Sequence, residues 1–172
     1  GEFGPEGQPK VQEPLTPARR GRGHAARRTA VEIHWRTRAR PLADADIRAA
    51  VLAALAHGGR AGLAVGVVLV DDATLAELHA RFLGDASPTD VIAFDLGDDA
   101  EADFGGVEAE IYVSVDCARR VARERGVSAG RELALYLVHG ALHLCGFDDR
   151  ARPKRKTMRA AEADVMRALG HA

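Results

Sequence analysis

The chain reads as an α/β protein of mixed (α+β) character: a single compact domain with a mixed sheet of about four strands packed with helices. Three observations predict it. Short β-branched segments alternate along the chain with segments whose apolar residues recur at helical spacing. Only one pair of consecutive strands is joined without an intervening helix, which makes the sheet mixed rather than all parallel. The length of 172 residues and the 47% hydrophobic content suit one domain with its own core.

Residues 1–30 hold Gly, Pro and Arg and hardly any large apolar side chains. They cannot bury enough surface to fold, so a disordered basic arm is expected there, with Arg19, Arg20, Arg22, Arg27 and Arg28 in an inert tail. The folded domain is expected over 31–172. Val31-Glu32-Ile33-His34-Trp35 alternates as a first strand. Asp44 or Asp46 can cap a helix to about Ala56, with Ile47, Val51, Leu52 and Leu55 inward, and Gly58-Gly59 ends it. Leu63 to Val70 is apolar nearly throughout and reads as a central strand. Asp71, Asp72 and Thr74 open a helix through Phe82, with Leu75 and Leu78 inward. Gly84 to Pro88 is a loop, and Thr89 to Leu96 returns as a strand. An acidic, mobile loop is expected over Gly97–Gly106, and Val107–Val115 forms the fourth strand. Asp116 is the expected cap of a helix ending at Gly126, and Ser128 of the next one, which carries His139 and His143. A last helix spans Arg152 to Leu169, with Met158, Val165, Met166 and Leu169 inward.

The formal net charge of −1 hides a segregation. Residues 1–40 hold nine Lys/Arg against four Asp/Glu, residues 71–110 one against twelve, and residues 111–172 twelve against seven. The basic segments could hold a polyanion, while the acidic stretch would face away or serve a cation. Cys117 and Cys145 form no disulfide framework and lack zinc-ligand spacing, and Cys145 is expected to pack near a helix end. The longest apolar stretch, Gly62 to Val70, is far too short to cross a bilayer. With no leader or membrane partner expected, the reading is a reducing cytoplasmic location.

The run His139-Gly140-Ala141-Leu142-His143-Leu144-Cys145-Gly146-Phe147-Asp148-Asp149 carries the chemistry. Residues at i and i+4 project from one helix face, so two imidazoles can grip one ion. Gly146 is a natural helix stop, after which the chain can fold back and bring Asp149 to the same ion. Two imidazoles and a carboxylate leave a fourth tetrahedral position for water, as in a catalytic rather than a structural zinc site. The competing reading is two histidines packed on a half-buried helix. A metalloprotease helix carries Glu after its first His, whereas Gly140 stands here and can do no acid–base work. Asp148 could support the water or orient a ligand imidazole. The negative charge of Asp149 is expected to make the water less acidic than a three-His site would.

This run resembles the signature of the YbeY family of bacterial endoribonucleases, or rRNA maturation factors: His-Gly-x-Leu-His-Leu-x-Gly-aromatic-Asp-His. Ten of its eleven positions fit, and Asp149 replaces the last His. Pro88-Thr89-Asp90-Val91-Ile92-Ala93-Phe94 is similar to the family's Pro-Thr-Asp-Val-Leu-Ser-Phe, and Glu110-Ile111-Tyr112-Val113-Ser114 to its Gly-Asp-Ile-x-Ile-Ser. The likeness covers about residues 31–170. It implies one Zn2+ per chain in a cleft beside the sheet edge and zinc-dependent cleavage of single-stranded RNA. It further implies maturation of rRNA ends, notably of the small-subunit RNA, and ribosome quality control, with rRNA precursor and the small ribosomal subunit as partners in the cytoplasm.

A second departure is Leu83, which stands where the family commonly carries an Arg thought to meet the substrate phosphate. Arg81, two residues earlier, faces another way unless the helix has frayed. The missing positive charge then falls to the zinc and to Arg119, Arg150 or Lys154. Ser114 is a candidate RNA contact that could equally be a strand-end donor, and Thr89 and Asp90 are expected chiefly to set a turn. The few aromatics, among them Trp35, are scattered and offer no stacking platform. Two other readings are a metalloprotease and a non-catalytic ribosome-assembly factor whose metal only stiffens the fold.

Overall fold

The computed structural model describes residues 31–84, 89–97 and 106–171. The expectations for the arm at 1–30, for Pro88 and most of its loop, and for most of the acidic loop lie outside the described residues. Strand β2 (Val65–Val70) is buried at all six positions, which requires cover on both faces of the sheet. It lies between β1 (Val31–Trp35) and β4 (Ala109–Ser114), parallel to both, with Val67 opposite Ile33 and Ile111. The edge strand β3 (Val91–Asp95) runs antiparallel to β4, giving the order β1-β2-β4-β3. The mixed four-stranded sheet is as expected; β1 keeps the expected limits, β2 begins two residues late, and β3 and β4 lie one or two residues inside theirs at each end.

Period-two alternation sorts the two faces. Val65, Val67, Leu69, Ile111 and Val113 enter the main core. There they meet α1 (Asp44–His57), α3 (Val115–Arg125), α4 (Ala129–Leu144) and α5 (Arg152–Ala168). Val68, Val70 and Ile92 point the other way, to Leu75 of α2 (Asp72–Leu83), with Leu78, Phe94 and Tyr112 around them. The helix that carries the histidines is the most enclosed of the helices: Leu133, Leu137 and Leu142 are fully buried. Burying three such side chains contributes about 5–9 kcal/mol before entropic costs, so α4 is a rigid platform.

Two capping expectations are corrected. Asp116 does not cap α3. Ser114 does, accepting the Cys117 N–H at 3.0 Å, because β4 passes into α3 without a loop. Asp116 sits inside the first turn and accepts the Asp72 N–H at 3.2 Å. The cap position of α1 is Ala43, with no side-chain bond; Asp44 is the first helical residue and accepts the Trp35 indole N–H at 2.7 Å. The expected Ser128 cap is present, accepting the Arg131 N–H at 3.1 Å.

Candidate metal centre

Two close approaches fix where the end of α4 sits. A Cβ on Gly140 would lie 3.0 Å from Val91 Cγ2 and 3.1 Å from Ile111 Cγ2, so the absence of a side chain lets α4 settle on β3 and β4 one residue past His139. Arg60 then ties the helix end to the sheet edge. Its Nη1 donates to the Leu144 carbonyl and to Asp95 Oδ2, both at 2.7 Å, satisfying an orphan carbonyl with a cation at the negative end of the helix. After Cys145 the chain reverses at Gly146, φ 91°, with the Phe147 N–H on the Leu142 carbonyl at 3.1 Å. A left-handed glycine there is what the sequence demanded.

That reversal brings Asp149 back over the two rings. His139 Nε2 and His143 Nε2 lie 3.0 Å apart, and the Asp149 oxygens lie 3.5 Å from His139 Nε2 and 3.7 Å from His143 Nε2. At metal–ligand bonds of about 2.0–2.2 Å, the edge of a tetrahedral zinc site is about 3.3–3.6 Å. The three separations bracket that value, so the donor set fits one divalent ion. Among the described residues this is the one group of three His, Cys, Asp or Glu ligands with such mutual distances.

Glu162, on α5, is the residue the sequence reading missed. It accepts a short hydrogen bond from His139 Nδ1 and is largely buried. This bond fixes the tautomer that leaves the Nε2 lone pair turned toward Asp149 and His143. Burial pulls the His139 pKa down, but the Glu162 bond and charge, then Asp149, outweigh it, and the net shift is upward. His143 is shifted downward, by burial first and then by repulsion from His139. A signal for Glu162 existed: it interrupts the inward stripe Met158, Ala161, Val165, Met166 of an amphipathic helix, and a carboxylate on an apolar face wants a partner.

Asp148, expected near the water or behind an imidazole, bonds to neither ring. It accepts the Arg150 N–H at 3.0 Å and the Lys154 ammonium at 3.3 Å, and Glu162 has the orienting role. The Arg150 backbone bond, then Lys154, holds its carboxyl below the usual range. Of the two roles left open for Ser114, the strand-end donor is the one its hydrogen bonds fit. Fully buried, it donates to Asp72 Oδ1 at 2.6 Å while capping α3. Lys154 is turned to Asp148, and Arg119 lines neither of the clefts that flank the histidines.

Those clefts open on either side of the metal group. One, of about 460 Å³, is lined by His139, Asp149 and Glu162 together with Asp90 and the cations Arg125, Arg155 and Arg159. The other, of about 510 Å³, runs past His143, Leu83, Thr89 and Arg150. Thr89 bonds weakly to the Val91 carbonyl at 3.4 Å, the turn role expected of it, whereas Asp90 also faces the first cleft. Helix α2 continues through Leu83, so Arg81 is not released toward the site; its guanidinium lies over the Phe82 ring, 5.7 Å from the centroid. Arg125 is held by the fully buried Glu132, Nη1 to Oε1 at 2.9 Å.

The family model of Endoribonuclease YbeY matches residues 33–170. Endoribonuclease YbeY of Moorella thermoacetica is 42% identical over 126 residues, 69% of this chain and 81% of that protein. The Heliobacterium modesticaldum protein of the same name is 38% identical over 115 residues, 62% of this chain and 69% of that one. Among solved structures, the solution structure of TM1509 from Thermotoga maritima aligns with a TM-score of 0.51 at 23% identity, over 80% of this chain and 90% of that one, and supports the fold. A three-donor centre at the turn after α4, on this sheet, in a chain matched by the family model over nearly all its described length, has one reading: the chain belongs to the endoribonuclease YbeY family.

Proposed function

We propose that this protein is a zinc-dependent endoribonuclease of the cytoplasm. It cleaves single-stranded RNA in the maturation of rRNA ends, notably of the small subunit, and in ribosome quality control, with the ribosome choosing the site. The convergence of His139, His143 and Asp149, with a cleft on each side, carries this reading. The relatives named as endoribonucleases support the substrate class.

His139, His143 and Asp149 would hold the ion, and Glu162 would hold His139 in the ligating tautomer. Bound there, zinc would supply Lewis acidity at a phosphoryl oxygen and lower the pKa of water toward ~7. A phosphodiester becomes more anionic as it reacts, so nearby cations act on the transition state. Leu83 brings no charge to the His143 cleft, but Arg150 does. Arg125 supplies it from the other cleft, anchored by Glu132 against swinging away.

No helix among the described residues is long and apolar enough to cross a membrane. The metalloprotease reading is disfavoured because Gly140 can do no acid–base work, and a side chain in its place would crowd Val91 and Ile111. The test is cleavage of single-stranded RNA by the zinc-loaded protein: sensitive to chelator, restored by zinc and absent in His143→Ala. Full activity of a folded His143→Ala defeats the proposal. A metal that only stiffens the fold would instead give His139→Ala a loss of stability with no separate catalytic defect.

A further inference from the structure

The start of α5 is built against its own stability. Arg152, Arg155, Lys156 and Arg159 stand at i, i+3, i+4 and i+7, one exposed stripe about 10 Å long. Every neighbouring pair on that stripe repels. The helix has no acid in its first turn and no side-chain cap, although the positive end of a helix favours anions. Among the described residues none of the four has an ion-pair partner, whereas Lys154 and Arg167 on the same helix pair with Asp148 and Asp164. Folding gives no reason for this arrangement. A polyanionic ligand does.

The stripe is also continuous with the metal centre. Arg155 and Arg159 line the cleft that contains His139, Asp149 and Glu162. The same two residues line, with Arg152, Pro153 and Lys156, an adjoining groove of about 560 Å³ on the outer side of α5. Among the described residues, the acidic segment 71–110 contributes Asp90 to the cleft and none to the groove.

We infer that the α5 stripe is the rail along which the phosphate backbone of the single-stranded RNA leaves the metal cleft. Arg155 and Arg159 take the phosphates nearest the ion, and Arg152 and Lys156 take the next ones outward. Phosphate contacts position a strand without reading its bases, which suits a stripe that carries no aromatic side chain. This inference rests on the endoribonuclease reading and adds to it the direction of the strand.

The test uses the zinc-loaded full chain and the double variant R152Q/K156Q, which spares the residues of the metal cleft. Binding to a fluorescein-labelled 2′-O-methyl oligouridylate is followed by anisotropy across a salt series, and KM and kcat are measured on the unmodified RNA. Losing two single-strand phosphate contacts should reduce the slope of log K against log salt by about 1.4, or about 25-fold in affinity at 0.1 M salt. KM should rise with kcat nearly unchanged, and the melting temperature should hold or rise, because repulsion on the helix is relieved. The control R48Q/R123Q, on other faces, should leave the slope in place. An unchanged slope and KM in R152Q/K156Q overturn the rail, whether the stripe then binds an acidic protein or nothing. An equal slope change in the control overturns it too. If the wild-type holoprotein neither binds nor cleaves RNA, the endoribonuclease reading itself has failed, a distinct result.

Discussion

Replacing Glu162 by Gln removes a negative charge but keeps an oxygen where His139 Nδ1 donates; replacing it by Ala removes both. The carboxylate and the ring it holds are only 16% and 22% exposed, so water substitutes poorly for the lost partner. Loss of such an orienting acid costs typically 10–100-fold in metal affinity, about 1.4–2.7 kcal/mol. The charge-assisted bond is roughly twice as strong as a neutral one, so Glu162→Gln should fall near tenfold and Glu162→Ala near a hundredfold. The assay is competition for zinc against a chromophoric chelator at about pH 8, where protons compete little for the imidazoles. The melting temperature of each metal-free variant separates a weaker site from a weaker fold. A folded Glu162→Ala that binds zinc as tightly as the wild type would refute the role given to Glu162.

Further outcomes follow from the same contacts. Ser114→Ala should lose about 1–2 kcal/mol of stability in denaturant melts, from the α3 cap and the Asp72 bond together, while leaving RNA affinity unchanged; weakened binding without lost stability would restore Ser114 as an RNA contact. Asp72 is partly buried, which raises its pKa, but the Ser114 hydroxyl and Arg120 outweigh that and depress it. Its contribution is therefore present above the unfolded pKa of about 3.9 and lost as pH falls through the lower folded value. Asp72→Asn should cost about 1 kcal/mol or less near neutrality, given a side chain 41% exposed, and the gap from wild type should close below about pH 4; a gap that widens in acid contradicts the assignment. Gly140→Glu, which writes a metalloprotease helix into α4, should lose about 3 kcal/mol or more through overpacking against Val91 and Ile111 and a poorly solvated carboxylate. A stable Gly140→Glu protein that hydrolyses casein would revive the protease reading.

The fold was legible wherever one local pattern left one solution. The all-apolar β2 announced a central strand, the Gly146 stop a reversal, and the i, i+4 histidines a shared face, all without knowledge of distant contacts. The candidate site was legible only in its local part, His139 to Asp149. Glu162 and Arg125 reach it from other helices, and no spacing in the chain encodes a contact between residues 139 and 162; the clue was only a carboxylate on an apolar stripe. Asp148 and Ser114 show the same limit. Each is the right residue type in the right segment, but a partner from elsewhere claims it: Lys154 for the first and Asp72 for the second. The basic run of α5 was visible as composition, yet its continuity with the cleft depends on how α5 lies across α4.

The function proposed for this chain stands or falls on whether three side chains share one ion. Metal analysis of the purified protein beside Asp149→Ala and His143→Ala tests this most directly. About one zinc per wild-type chain, lost or greatly reduced in both folded variants, is the expected result. Wild-type protein that takes up no divalent metal when offered it, or an Asp149→Ala protein that keeps its full complement, would contradict the centre described for this chain.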